Sequence, residues 1–243
     1  MKWLENFKLT YRANKYKNKN DKGGISYLLA TVQPGQTVFD IGAHKAGFLF
    51  WLLKRVGENG FVYAFEPQTS LFHYIKKLKA LFDWENVTVE HLALSDSVET
   101  VTLFIPENKT GGKSSPGATI VEHKGSNDTF TTEKTETQTL DNYCNKHNLK
   151  PSFLKIDVEG NELKVLKGGL QTLKSFKPKI IIEIEARHVG EERAKETFHF
   201  LESLGYTGRF IHGTNYLPIS SFNFGEHQNL NDKANYCNNF IFE

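Results

Sequence analysis

Little in this 243-residue chain points to an oxidising compartment or a membrane. Its only cysteines, Cys144 and Cys237, stand far apart. With no secretory start they are expected to be free thiols rather than a disulfide. Charges break up the apolar residues of positions 1–8, so the continuous apolar stretch of a signal peptide is missing. No run approaches the ~20 apolar residues that a membrane span needs. These absences make the cytoplasm the expected location. Charge of one sign is lacking too: 30 basic residues against 28 acidic ones leave a net +2, so the totals give no support for a nucleic-acid partner. No internal repeat occurs and no linker divides the chain. The economical organisation is a lead-in with a short helix over 1–34, then one domain over 35–243.

What is present alternates between strand and helix. The lysine-rich residues 1–22 read as a solvated lead-in, because charge runs are usually solvated; a flap over a ligand site is the sharper alternative. Beyond the Pro34-Gly35 turn, Thr37 to Ile41 is a short apolar strand and Phe48 to Val56 a largely buried helix. Gly60 to Pro67 is a second strand ending in acid-proline. Leu71, Tyr74, Ile75, Leu78 and Phe82 share one helical face. Val87 to Leu92 is a third strand. The rhythm resumes with a helix over 140–147, strands at 153–157 and 179–184, and a helix over 191–204. Segments 206–211 and 237–242 form a closing strand pair. Such alternation implies a mainly parallel sheet with helices on both faces. The middle is irregular: Val98 to Ile105 alternates like an antiparallel strand, with a partner near 135–138. Residues 106–134 read as a mobile substrate-side loop.

In such sheets ligands sit at the carboxyl ends of the strands. Asp40 ends the first strand, and Gly42, Ala43, His44 and Gly47 form the turn into the next helix. The spacing is D-x-G-A-x-x-x-G, and the dinucleotide pattern G-x-G-x-x-G is missing. An acid beside Gly42 repels a pyrophosphate but suits an ammonium group, as in the amino-acid end of S-adenosylmethionine. Glu66, followed by Pro67, is placed to accept both ribose hydroxyls. Ser95 and Asp96 follow the third strand, where an adenine edge would lie. A strand-end Asp is often only a helix cap, and Ser-Asp only a turn; three such features in order carry more weight than each alone. The stretch from Leu154 to Glu162 then crowds Lys155, Asp157, Glu159 and Glu162 around another strand end, where unpaired charge is costly.

The segments Val38-Phe39-Asp40-Ile41-Gly42-Ala43, Val62-Tyr63-Ala64-Phe65-Glu66-Pro67, Ala93-Leu94-Ser95-Asp96 and Thr139-Leu140-Asp141 together resemble the FkbM-type methyltransferase family. Leu154-Lys155-Ile156-Asp157-Val158-Glu159-Gly160, Val165-Leu166-Lys167-Gly168-Gly169 and Ile182-Glu183-Ile184-Glu185 extend the likeness over about residues 35 to 190. Two departures are His44 where the family usually has Asn, and Ala46 where it has Gly. The resemblance implies a class I methyltransferase, a Rossmann-like α/β fold with a mostly parallel seven-stranded sheet, and S-adenosylmethionine as cofactor. It also implies O-methylation of a hydroxyl on a sugar, glycolipid or secondary metabolite, with a small-molecule or glycan acceptor as partner.

A hydroxyl acceptor must lose its proton as it attacks, and Asp157, Glu159 and His188 are the candidate catalytic groups, Asp157 also being a cofactor ligand. Asp157 and Glu183 are the pair a divalent cation would use, but two acids are not a full ligand set, so no metal is expected. The rival readings are an NAD-dependent oxidoreductase on a similar sheet and a non-catalytic cofactor-binding domain.

Overall fold

The computed structural model describes residues 2–106, 117–120 and 129–243. The chain runs through α1 (Lys2–Lys15), a π-helical turn (Tyr16–Asn20), α2 (Lys22–Thr31), β1 (Thr37–Ile41), α3 (Gly47–Val56), β2 (Phe61–Phe65), α4 (Thr69–Phe82), β3 (Val87–Glu90) and β4 (Ala93–Ser95). It continues through β5 (Thr100–Pro106), β6 (Phe130–Thr139), α5 (Leu140–His147), β7 (Phe153–Ile156), α6 (Glu162–Lys167), α7 (Leu170–Phe176) and β8 (Lys179–Glu183). Last come α8 (Ala186–Val189), α9 (Glu191–Ser203), β9 (Gly208–His212), β10 (Asn215–Pro218), a 3-10 turn (Ile219–Ser221), α10 (Phe224–His227) and β11 (Asn239–Phe242).

The main sheet has the order β10-β9-β11-β8-β7-β1-β2-β3. Strands β3, β2, β1, β7 and β8 are parallel, whereas β11 is antiparallel to both β8 and β9. The sheet is therefore mainly parallel but mixed, and has eight strands where seven were expected. The eighth is β10, which folds back on β9 as a hairpin through Gly213, a residue in the left-handed region at φ 63°. From β1 the chain first builds outward through β2 and β3, then returns to place β7 on the opposite side of β1. This reversal opens a crevice at the carboxyl ends of β1 and β7.

The β1 register explains why its neighbours are apolar on both faces. Val38 and Phe39 are fully buried on opposite sides, as expected for a strand covered by helices on both faces. One face is filled by Leu28, Leu49, Leu52, Ile75 and Leu78, the other by Leu140, Val165, Leu173, Phe198 and Phe240. Helix α3 ends where Gly57 takes φ 67°, and α4 ends at Asp83 in the same left-handed region.

One expectation is met and another changes. Strand β4 leaves the main sheet and pairs with β6, which pairs with β5 in antiparallel register (Thr100 opposite Glu136) to give a separate three-stranded sheet. The expected antiparallel strand at 98–105 and its partner are thus present, in a sheet that also takes in β4. The lead-in is not a loosely solvated run. Its α1 buries Leu9 and Ala13, Trp51 donates its indole N–H to the Ala13 carbonyl at 2.9 Å, and Arg12 donates to the Lys45 carbonyl at 2.6 Å. Lysines crowd the exposed face and hide this buried stripe in the composition. The expected loop at 106–134 falls largely outside the described residues. Within it, Thr119 forms an isolated bridge with Phe104. No described helix is long and apolar enough to cross a membrane.

Candidate functional site

A cavity of about 440 Å³ opens at the carboxyl ends of β1, β2, β7 and β8, a size suited to a small-molecule ligand. Its floor is apolar, from Ile41, Phe48, Phe65, Leu94 and Leu103.

The β1–α3 turn forms one wall. Gly42 takes φ 82°, and a Cβ there would overlap the Asp157 carbonyl oxygen, so only glycine fits. The Gly42 and Ala43 amides both donate to the Phe65 carbonyl at 3.0 Å, tying the turn to β2. His44 (φ 48°) and Ala46 (φ 63°) are also left-handed; each costs ~1–2 kcal/mol without a glycine. The turn is held from both sides. Glu66 accepts the His44 amide at 2.7 Å, and Arg12 bonds the Lys45 carbonyl. Burial pushes the His44 imidazole down to about 4.

Glu66 is buried at the end of β2. Its Oε1 accepts the Gln68 amide at 3.0 Å and its Oε2 the His44 amide, so each oxygen keeps one lone pair for a ligand. Burial pushes its carboxyl up to about 7. A carboxyl whose folded pKa is raised contributes stability below its unfolded pKa and loses it as pH climbs through the folded value. The unliganded Glu66→Gln variant is therefore expected to lose less Tm than the parent between pH 5 and pH 8. Parallel melting curves across that window would sink the assignment.

Asp40 does not line the cavity. It is fully buried beneath, with Lys155 Nζ 3.5 Å away as its charge partner, and neither oxygen finds a hydrogen-bond donor of good geometry among the described residues. Burial pushes its carboxyl up to about 6 against the pull of that lysine. Lys155 itself reaches the cavity. It pairs with Asp157 at 3.2 Å and donates to the Gly42 carbonyl at 2.8 Å. Burial opposes its charge, but Asp157 and Asp40 outweigh that and raise its pKa. Part of the charge crowded around the end of β7 is thus resolved as the chain Asp40–Lys155–Asp157, buried at Asp40 and Lys155 and partly exposed at Asp157.

The turn after β7 presents Asp157 and Glu159 to the cavity. Glu159 sits at φ 53° and Gly160 at φ 101°. The turn is fixed by the Glu162 carboxylate, which accepts the Gly160 amide at 2.9 Å, and by the Thr119 hydroxyl, which donates to the Glu159 carbonyl at 2.7 Å. His188, from α8, is not on the cavity wall, but its Nε2 lies 2.9 Å from Glu159 Oε2. Burial works against its protonation, yet Glu159 prevails and raises the imidazole pKa. At the end of β8, Asn238 donates to Glu183 at 2.8 Å and to Glu185 at 2.7 Å. Burial and the nearby Asp157 and Glu159 raise the Glu183 carboxyl well above its ordinary range. No described group of three or more His, Cys, Asp or Glu side chains is arranged to hold a metal.

Of the other sequence candidates, Gly42, His44, Glu66 and Pro67 line the cavity, whereas Ala43, Gly47, Ser95 and Asp96 do not. Gly47 instead packs under the Tyr16 ring, where a Cβ would come within 2.8 Å. Asp96 is exposed, with Lys164 at 4.0 Å. Ala93 and Leu94 line the cavity in their place, and Asn161 holds the Leu94 carbonyl at 3.0 Å. Sequence reasoning missed Tyr16, Asn20 and Asp21, which bring the lead-in to the cavity rim, together with Asn238 and Asn239. Only the i,i+4 stripe Glu5-Leu9-Ala13 hinted that the lead-in docks. Two remaining motifs are structural. Asp141 caps α7 by accepting the Gln171 and Thr172 amides at 2.9 and 2.8 Å. Gly168 packs so tightly on the Ser95 carbonyl that no Cβ fits.

Comparison with known proteins bears on the family and the fold. The family model "Methyltransferase FkbM domain" matches residues 40–207. No curated protein matches the chain. Among solved structures, a methyltransferase FkbM from Methylobacillus flagellatus KT is similar, with 16% identity and a TM-score of 0.55 over 96% of this chain and 53% of that one. The chain thus spans about half the length of that relative. A putative rRNA-methylase from Clostridium thermocellum is 15% identical, with a TM-score of 0.53 over 90% of each chain. A putative O-methyltransferase from Klebsiella pneumoniae is 10% identical, with a TM-score of 0.51 over 97% of this chain and 86% of that one. At such identities these structures bear on the fold alone. With most of its length matched by the family model, the chain belongs to the FkbM methyltransferase family, whose methyl donor is S-adenosylmethionine, and it has the Rossmann-like class I methyltransferase fold.

Proposed function

We propose that the chain methylates a hydroxyl oxygen of a small-molecule or glycan acceptor, such as a sugar, glycolipid or secondary metabolite. The observation that carries this reading is the Glu159–His188 pair at 2.9 Å, with Glu159 on the cavity wall. A carboxylate backed by an imidazole is suited to take a hydroxyl proton. The neighbouring Asp157, Glu183 and Asn239 are acceptors and amides of the kind that orient sugar hydroxyls. The same carboxylates repel a phosphodiester backbone, which disfavours RNA.

The residues fit the donor. Glu66 has a free lone pair on each oxygen for the two ribose hydroxyls, with Pro67 beside it. Gly42, Ala43, His44 and Gly47 shape the backbone around the methionine end. Asp157 takes the ammonium, and Asp40 acts from below by fixing Lys155. Ser95 and Asp96 set the turn that carries Leu94 to the adenine side. When bound, the donor supplies a methyl group already activated on a sulfonium. The protein's part is alignment and exclusion of water, and Glu159 accepts the proton released as the new oxygen–methyl bond forms.

His188→Asn is expected to lower kcat about a hundredfold and to leave the affinity for S-adenosylhomocysteine within about twofold of the parent; an unchanged kcat would remove His188 from the mechanism. The acceptor class is tested by incubation with methyl-labelled S-adenosylmethionine and fractionated cell extract. Label in the glycan or lipid fraction, stable to mild base as an ether is, supports the reading. Label confined to RNA or protein overturns it. We place the reaction in the cytoplasm, in line with the two buried free thiols Cys144 and Cys237, and regard 35–243 as one catalytic domain that the lead-in completes.

A further inference from the structure

Helix α1 has two opposed stripes. Glu5, Leu9 and Ala13 face the protein. Trp3, Phe7 and Tyr11, displaced by two residues or about 200° around the helix, face outward and are 78%, 61% and 64% exposed. Their rings stack in a ladder with both centroid spacings at 6.3 Å, and Leu4 beside them is 49% exposed. Four large apolar side chains on one face of a surface helix form a patch that isolated exposed residues do not.

The charge around this ladder is mostly positive, although Lys2 pairs with the exposed Asp83 at 3.3 Å. Residues 2–22 hold seven basic side chains (Lys2, Lys8, Arg12, Lys15, Lys17, Lys19, Lys22) against Glu5 and Asp21, although the whole chain carries only +2. The rest of the protein is therefore net acidic. Lys2, Lys8, Lys15, Lys19 and Lys22 are exposed. A second copy of the chain would bring two such basic segments together and be repelled. An anionic lipid surface satisfies both features, since aromatic rings favour the headgroup region and lysine stems cross it to reach phosphate.

We propose that α1 is a membrane-docking element that seats the Trp3-Phe7-Tyr11 ladder in the interface of an anionic bilayer. Docking is peripheral: the helix lies on the surface and does not span it. Because the turn after α1 supplies Tyr16 and Asn20 to the cavity rim, docking also favours an acceptor carried on a lipid. That last step rests on the proposed glycolipid acceptor; docking itself does not.

The test is flotation of the full chain with phosphatidylcholine vesicles, with and without a one-third share of phosphatidylglycerol. Binding is expected only to the anionic vesicles, weakened by high salt, with a blue shift of tryptophan emission. The Trp3→Ser/Phe7→Ser/Tyr11→Ser variant should bind at least ~tenfold more weakly and lose that shift. Since these side chains are exposed, its Tm should match the parent; if it does not, Phe7→Ser alone and Lys15→Glu/Lys19→Glu supply the same comparison. Failure to float with anionic vesicles, binding that survives all of these variants, or a dimer that the aromatic variant dissociates would each overturn the proposal. Methyl transfer to soluble glycans without vesicle binding would overturn docking and leave the proposed reaction standing.

Discussion

Replacing Lys155 with methionine is expected to lower stability by ~3–5 kcal/mol, the usual consequence of removing one partner from a buried charge cluster. For a domain of this size that corresponds to a fall in Tm of roughly 6–20 °C. The loss arises because Asp40 has no other charge partner among the described residues and Asp157 stands 3.2 Å from the same nitrogen. The pH dependence identifies the cause. Burial already raises the Asp40 carboxyl to about 6, and without the lysine it rises further. Protonation then relieves the buried charge, so the deficit should be largest above about pH 7 and shrink toward pH 5. Adding Asp40→Asn to Lys155→Met should recover a large part of the loss, because the coupling is direct. A Lys155→Met variant melting within a degree or two of the parent at pH 8 would show that the chain of charges contributes nothing to the fold.

The second large effect concerns Gly42. Gly42→Ala should abolish stabilisation by S-adenosylhomocysteine in a thermal-shift titration. Gly35 provides the control, since it has nearly the same φ, 83° against 82°, but nothing within 4 Å of a built Cβ. Gly35→Ala should therefore cost only the left-handed backbone penalty, ~1–2 kcal/mol, with ligand affinity unchanged. At Gly42 the added methyl also meets the Asp157 carbonyl. The β1 and β7 turns must then part, moving both Asp157 and the Gly42 carbonyl that Lys155 holds. Equal behaviour of the two alanine variants would mean that the approach of the two turns is irrelevant to binding.

The strand-and-helix rhythm was legible because each central strand is buried on both faces, and short apolar runs between amphipathic helices have few other uses. Glu66 could be placed for the same reason: an acid after an apolar strand has reached the sheet's edge. Asp40 shows where such reading stops. It also stands near a strand end, but side chains alternate between faces, and a single position decides whether the carboxylate enters the cavity or goes beneath it. Its buried position became explicable only with Lys155, which lies opposite it on the neighbouring strand and more than a hundred residues away in sequence. The lead-in was misread for a different reason. Lysines dominate its composition, whereas its packing depends on Leu9, Ala13 and the backbone carbonyl that Trp51 finds. The departure of β4 to a second sheet left no local trace, because pairing with β6 is a matter of topology rather than pattern.

Strand β11 has a kinetic consequence. It runs between β8 and β9 and supplies the ladder to both, and Phe240 and Phe242 pack on Phe198. Until residues 239–242 leave the ribosome, β8 has an open edge and β9 with β10 has nowhere to attach. The five parallel strands from β3 to β8 can assemble during synthesis, but the other three strands of the sheet wait on residues 239–242. Slow closure of long-range contacts is where folding chains are most exposed to aggregation. Truncation just before Asn239 should therefore trap a species with the isoleucine-rich strand Lys179–Glu183 uncovered on one edge.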